Sequence, residues 1–331
     1  MRIAVVGSGG IGGYYGGRLR EAGHDVVFVA RGANLDALQR RGLTVRTPAG
    51  ESTVPVTAVA GSDGVAPVDL VLFCVKSYDT DTAARLLPAL MAPHTAVLTL
   101  QNGVDNADTI GAVVGPAAVV PGVVYVALQL AGPGVVVRTG GEGRIVFGER
   151  DGSMSERVRS IAAAFAAGAI AHEVSTEIDR VAWEKFLFIT GIGGVTALAR
   201  VGIGSILGTV EGRALLGAAC EEIVAVARAE GVSLSPGSAE AAIAQAATVP
   251  PSWRSSMARD LEDGRRLEVD ALSGAVVRRG QRAGVPTPVH QTILACLSLH
   301  QPRVVTQAST VVPATAARAD RRTLTCDCKT R

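Results

Sequence analysis

Met1-Arg2-Ile3-Ala4-Val5-Val6-Gly7-Ser8-Gly9-Gly10-Ile11-Gly12 opens the chain. An apolar, β-branched run leads without interruption into the spacing G-x-G-x-x-G. Gly7 permits the tight turn out of a strand, Gly9 lets backbone approach a pyrophosphate, and Gly12 allows the following helix to pack closely. Ser8, Gly10 and Ile11 fill the loop, and the helix beyond it offers free N–H groups and a positive dipole end to an anion. The chain has 39 glycines, so the spacing could arise by chance. The strand before it and the helix-compatible stretch Tyr14–Ala22 after it supply the context that makes it a dinucleotide site.

A chain of 331 residues should hold about two domains. With 48% hydrophobic and 19% charged residues it can bury a large core, and only 4% aromatics leave that core to Val, Ala, Leu and Ile. The net charge of +2 gives no reason to expect nucleic acid or an anionic membrane as partner. Five cysteines, an odd number without a C-x-x-C pair, read as reduced cytosolic thiols, with no metal site expected. The start of the chain lacks a charged region and cleavage site, so no secretory signal is expected. Mean hydropathy is +0.31, yet Ala117–Val137 is broken by Pro121, Gln129 and Pro133. Phe186–Ala199 is too short to span a bilayer on its own. A soluble, cytoplasmic protein is expected.

Val-rich runs at Ile3–Val6, Val26–Ala30, Leu70–Val75 and Ala96–Leu100 alternate with helical segments over Gly12–Glu21, Ala33–Arg41 and Thr80–Leu90. This alternation predicts an α/β fold on a mostly parallel sheet. Strands around Gly122–Leu130, Val135–Arg138 and Arg144–Gly148 should run antiparallel and close its far edge. After a helix over Ser155–Ala167 and a short strand at Ala171–Val174, helices dominate. Thr176 is expected to cap the one starting near Ile178, and further helices are expected over Ala214–Glu230, Ala239–Ala247, Ser255–Glu262, Glu268–Ala283 and His290–Leu299. The predicted boundaries are 1–172 for the dinucleotide-binding domain and 173–302 for an all-α substrate and dimerisation domain, which would allow a homodimer. Residues 303–331 lack an apolar period and are expected to form a disordered tail, in which Cys326 and Cys328 are incidental.

Ligands of open α/β sheets bind beyond the carboxyl ends of the strands. Arg31 follows the second strand, where an acid would favour NAD; a cation there favours the 2′-phosphate of NADP. Lys76 ends the strand Asp69–Val75, and Asn102 holds the equivalent place ahead of Gly103. Taken singly, each is as readily a solvated strand end as a ligand contact. With the glycines they make one rim.

The stretches GSGGIGGYYGG, VARG, VKSYDT and QNGV in the first half, and AWEKFLF, SSMARDLEDGRRLEVD and VPTP in the second, resemble the ketopantoate reductase (2-dehydropantoate 2-reductase) family over roughly residues 1–300. The resemblance implies an N-terminal Rossmann-like NADP-binding domain and a C-terminal all-α domain of the 6-phosphogluconate-dehydrogenase-like kind, with the site in the cleft between. It implies NADPH-dependent reduction of ketopantoate to pantoate, in pantothenate and coenzyme A biosynthesis. By the same resemblance Lys185 is the general acid and Glu268 its partner near the cofactor ribose. Asn102 lies near nicotinamide and substrate, Lys76 makes cofactor and active-site contacts, and Ser256 binds the substrate carboxylate.

The residues support such roles. Hydride addition to a ketone leaves an alkoxide, which needs a proton and a positive field as it forms. A lysine in a closed cleft supplies both, because desolvation lowers its pKa towards the working range. Lys185 stands among Trp183, Phe186, Leu187 and Phe188, where a buried ammonium without a purpose is costly. Ser256 and Glu268 would lie about 18 Å apart on one unbroken helix, but Gly264 permits a break. One departure concerns specificity: the family's pocket asparagines are matched here by Ile189, Gly193, Ile203 and Trp253. The altered pocket leaves three alternatives: a different 2-keto acid, the acid held by Thr190, Arg200 or Arg259 instead, or a non-catalytic NADP(H)-binding sensor.

Overall fold

The apolar runs of the first half bury both faces, as strands between two helical layers must. In the computed structural model, which describes residues 1–301, the strands are β1 (Arg2–Val6), β2 (Asp25–Val29), β3 (Leu43–Thr47), β4 (Gly50–Val54), β5 (Thr57–Val59), β6 (Leu70–Phe73), β7 (Ala96–Thr99), β8 (Val119–Gly132), β9 (Val135–Phe147) and β10 (His172–Val174). They lie in the order β4-β3-β9-β8-β7-β6-β1-β2-β5, with β10 on β9. The six strands β5-β2-β1-β6-β7-β8 are parallel throughout. This is the doubly wound order of a Rossmann-like domain, and its switch point lies between β1 and β6.

Helices α1 (Gly10–Glu21), α2 (Gly32–Arg41), α3 (Thr80–Ala84), α4 (Asn106–Val114) and α5 (Glu156–Ala167) accompany this sheet. The two-residue period of β1 assigns its side chains to opposite faces. Ile3 and Val5 join Tyr15, Leu19, Phe28 and Phe165 on one side; Ala4 and Val6 join Val71, Phe73 and Ile110 on the other. The segment predicted as one helix over Thr80–Leu90 is α3 followed by a separate 3₁₀ turn at Leu87–Leu90.

Strands β3, β4 and β5 were not foreseen. β4 is exposed at four of its five residues, and only Leu43 and Val45 of β3 are buried, so the segment lacks the apolar run that marks a central strand. The antiparallel pairing is present as the β8–β9 pair, with the strands predicted at Val135–Arg138 and Arg144–Gly148 joined in β9, but it does not close the edge, because β3 and β4 lie beyond β9. β8 pairs in parallel with β7 at Val119–Pro121 and then antiparallel with β9 from Gly122.

Beyond β10 the chain is helical: α6 (Ile178–Leu187), a π-helical turn at Phe188–Ile192, α7 (Gly193–Ala199), α8 (Ile203–Leu207), α9 (Val210–Ala229), α10 (Ser238–Ala246), α11 (Ser256–Glu262), α12 (Ser273–Ala283) and α13 (Pro288–Ser298). Two expectations need correction. Thr176 does not cap α6; that place is Glu177, whose side chain makes no capping bond. Glu268 precedes α12 instead of starting it, in turns that follow Gly264 at φ +64°. The break foreseen at Gly264 is therefore present and longer than expected. The apolar stretch from Phe186 continues α6, giving 22 helical residues over Ile178–Ala199, whose most apolar window is 61% buried. It packs into a core with Leu216, Cys220, Ile223, Ala275 and Ile293, which accounts for its apolarity. The predicted tail, with Cys326 and Cys328, lies outside the described residues.

The glycine motif divides its labour by packing. Gly7 has φ +97°, and a Cβ on it would lie 2.5 Å from Val75 N. A Cβ on Gly12 would lie 2.2 Å from the Gly7 carbonyl and 2.7 Å from Val5. Around Gly9 there is nothing within 4 Å. Gly12→Ala is accordingly expected to destabilise the fold by at least ~1–3 kcal/mol, the range for overpacking. Gly9→Ala should leave the thermal unfolding midpoint almost unchanged. Equal midpoints for the two variants would contradict this assignment.

Candidate active site

The loops after β1, β2, β6 and β7 meet at the carboxyl edge of the sheet, around the switch point. α1 starts at Gly10 behind an N-cap glycine, Gly9, that offers no side-chain acceptor. Its first-turn N–H groups need partners from elsewhere. With open space over Gly9, this end can take up an anionic group such as a pyrophosphate. Ser8 turns inward instead, its hydroxyl donating to the Val29 carbonyl at 3.1 Å. That bond fixes the glycine loop beside the end of β2, where Arg31 is exposed. Asn34, which was not singled out from sequence, donates to the Ser8 carbonyl at 3.0 Å and accepts from Gly134 N at 2.8 Å. It ties the loop to the β8–β9 turn.

Lys76 leaves the end of β6 and reaches the helical half. Its Nζ donates to Glu268 Oε2 at 2.8 Å and lies 3.5 Å from Asp260 Oδ2. The other Glu268 oxygen, Oε1, accepts from Ser77 N at 3.0 Å and from Ser77 Oγ at 2.7 Å. Burial alone would raise the Glu268 pKa, but Lys76 and the two Ser77 donors outweigh it and hold the carboxyl below its ordinary value. Burial would likewise lower Lys76, and Glu268 overrides it, so the Lys76 pKa lies above the usual lysine value.

Lys185 behaves in the opposite way. It stands in the last turn of α6, and its Nζ donates to Asn102 Oδ1 at 2.7 Å. Burial brings its pKa down to about 8, against a smaller raising effect of Glu268 through space. Glu268 makes no hydrogen bond to Lys185, the lysine whose partner the resemblance made it; it bonds Lys76 instead. Asn102 is itself held from behind, since Asn106 Nδ2 donates to its carbonyl at 2.9 Å. Gln101 donates to Val75 O at 3.0 Å and Thr80 Oγ1 at 2.8 Å, joining the β6 and β7 loops. A cavity of about 230 Å³ opens beside the pair, bounded by Asn102, Lys185, Trp183, Ile189, Glu230 and Arg279.

Lys76, Asn102, Lys185 and Glu268 are thereby gathered at one edge. Ser256 is not bonded to them: it is the exposed first residue of α11. The helix cap is its neighbour Ser255, whose Oγ accepts from Ala258 N and donates to the Gly193 carbonyl, both at 3.1 Å. Of the positions matching pocket asparagines, Ile203 is buried in the helical core. Ile189 and Trp253 are partly exposed, and the Trp253 ring lies 6.1 Å from Phe188. The Thr190 hydroxyl is buried without a partner. Ser77 was legible only as a neighbour of Lys76 in VKSYDT; no sequence signal marked its bond to Glu268.

Two sequence models match the chain. The one described as ketopantoate reductase PanE/ApbA covers residues 3–152, and the one for the PanE/ApbA C terminal covers 177–301. The chain is 39% identical over 305 residues to a 2-dehydropantoate 2-reductase of Halobacterium salinarum, covering 91% of this chain and 99% of that protein. It is 31% identical over 302 residues to an uncharacterized oxidoreductase, YkpB, of Bacillus subtilis, with 91% and 99% covered. The crystal structure of a PanE/ApbA family ketopantoate reductase from Ralstonia eutropha JMP134 superposes with a TM-score of 0.83 at 37% identity, over 91% of this chain and 98% of that one.

The low Lys185 pKa has a signed consequence for stability. Between about pH 8 and 10.5 the unfolded lysine holds its proton more tightly than the folded one. Stability from this site therefore rises with pH across that window and is lowest below about 8. Lys185→Met should raise the unfolding midpoint at neutral pH, and the gain should vanish above pH 10.5. A variant no more stable than the wild type at neutral pH would contradict the depressed pKa.

Proposed function

Because the chain belongs to the ketopantoate reductase family of oxidoreductases, we propose that it reduces 2-dehydropantoate to pantoate with NADPH, as in pantothenate and coenzyme A biosynthesis. The observation that carries this reading is the 2.7 Å contact between Lys185 Nζ and Asn102 Oδ1 at the sheet edge, with a lysine pKa of about 8. NADPH, when bound, supplies the hydride to C2 of the keto acid. Gly7–Gly12 and the start of α1 hold its pyrophosphate. Arg31 favours the 2′-phosphate, and Lys76 and Glu268 serve the ribose side of the cleft.

Lys185 is the proton donor. At neutral pH it is largely ammonium, so it places positive charge where the alkoxide develops. Its proton is also less tightly held than that of an ordinary lysine, which suits general acid work. Asn102 accepts from the ammonium and aims it, and Ser256, exposed on α11, takes the substrate carboxylate. Glu268 acts on Lys185 through space while fixing Lys76.

A second reading, reduction of a different 2-keto acid, is favoured by Ile189 and by Trp253 packed near Phe188, where the family has asparagines. Apolar walls do not reward substrate hydroxyls. NADPH oxidation measured with 2-dehydropantoate and a panel of branched and aromatic 2-keto acids decides between the two. Absence of turnover on every acid would leave only a dinucleotide-binding protein.

Lys185→Ala should lower kcat by about 10²–10⁴-fold with NADPH affinity retained; near-normal turnover would sink the assignment. Since the protonated lysine is the active form, kcat/KM should fall as pH rises through about 8. A profile flat to pH 10 speaks against Lys185 as the acid. Arg31→Ala should weaken NADPH far more than NADH, and an equal loss for both would remove its role in cofactor choice.

A further inference from the structure

Arg279, on α12, is 11% exposed and touches three other parts of the chain. Its Nε donates to Asp105 Oδ1 at 2.7 Å and its Nη2 to the Val104 carbonyl at 3.2 Å, both in the loop between β7 and α4 that carries Asn102. Its Nη1 pairs with Glu230 at the end of α9. The guanidinium also lies 5.7 Å from the ring centroid of Trp183, two residues before Lys185 on α6. Although it borders the cavity beside Lys185, its donors face protein acceptors, which argues against a role in holding the substrate anion. The planar fork holds its acceptors in a fixed geometry, whereas a lysine offers only a rotatable point charge.

We propose that Arg279 is a positioning residue: it holds the Asn102 loop and the Lys185 helix in one register, so that Asn102 Oδ1 meets Lys185 Nζ. The role rests on the reading of Lys185 as proton donor. Small displacements at a reacting group are costly, since about 1 Å can lower a rate about 100-fold. Loss of the acceptor also disfavours the ammonium, so the lysine pKa should fall further. The adjacent Arg278 bonds Asp105 Oδ2 at 3.2 Å and Asp270 but is 43% exposed. It is the natural control.

The test is a double-mutant cycle of Arg279→Lys and Asn102→Ala, assayed with NADPH and the fastest acid of the panel. Arg279→Lys should lower kcat about tenfold or more, leave KM for NADPH within about twofold, and move the alkaline limb of kcat/KM to lower pH. In the Asn102→Ala background the same change should cost less than about twofold, because coupled residues are not additive. Arg278→Lys should do little. Additive losses with an unmoved limb would overturn the proposal and leave Arg279 a stability residue. If Arg279→Lys does not fold, Asp105→Asn, which weakens the same clamp from its other side, must shift the limb, and an unmoved limb refutes the role. Lys185→Ala separates the two readings. Its inactivity with an additive cycle rejects the clamp alone, whereas its full activity rejects the proton donor and the clamp together.

Discussion

One carboxylate cannot neutralise two lysines, and its allocation organises this site. Glu268 offers two oxygens, and both are occupied at the end of β6, one by Lys76 and the other by Ser77. Lys185 is left with a neutral amide as its partner. The two lysines therefore move in opposite directions from the same starting value: the paired one is raised and the other brought down to about 8. Divergent environments for like groups are how a site assigns an electrostatic role to one and an acid role to the other.

The fold makes that allocation geometrically possible. Parallel strands deliver Lys76 and Asn102 to the same edge because β6 and β7 are neighbours in register. The helical half brings Lys185 on α6 and Glu268 ahead of α12. Neither half carries the set alone. The carboxylate reaches the sheet edge across the break between α11 and α12, and the loop after β7 that brings the amide to Lys185 is bonded by Asn106 and Arg279.

How much of this could be read from sequence depended on whether the signal was local. The glycine motif, the alternation of strands and helices, and charged residues placed directly after apolar runs are all written within a few residues. They gave the sheet, the glycine loop, and the places of Lys76 and Asn102 at its edge. The pairing of Lys76 with Glu268 spans 192 residues, and no local pattern says which lysine receives the acid; the expectation that it would be Lys185 came with the family resemblance. Arg279 lies in VVRRGQR, where it reads as an ordinary surface cation, although the fold buries it and exposes its neighbour. The edge strand β4 and its neighbour β3 went unseen because exposure removes the apolar pattern that marks a strand. Ser255 and Ser256 were separable only once the start of α11 was known.

The π-helical turn at Phe188–Ile192 has a further consequence. Such a turn holds an extra residue in an otherwise regular helix, and each residue of an α-helix advances the face by about 100°. Lys185 lies before the turn and keeps the phase of α6, whereas Gly193 and Thr196 follow it and meet Ser255. Removing one residue from the turn would rotate α7 beneath α11 while leaving the lysine where it stands. The length of this short segment thus sets how α7 seats against α11 independently of where the lysine stands. An insertion or deletion here would repack α7 with no substitution at Lys185, Asn102 or Glu268.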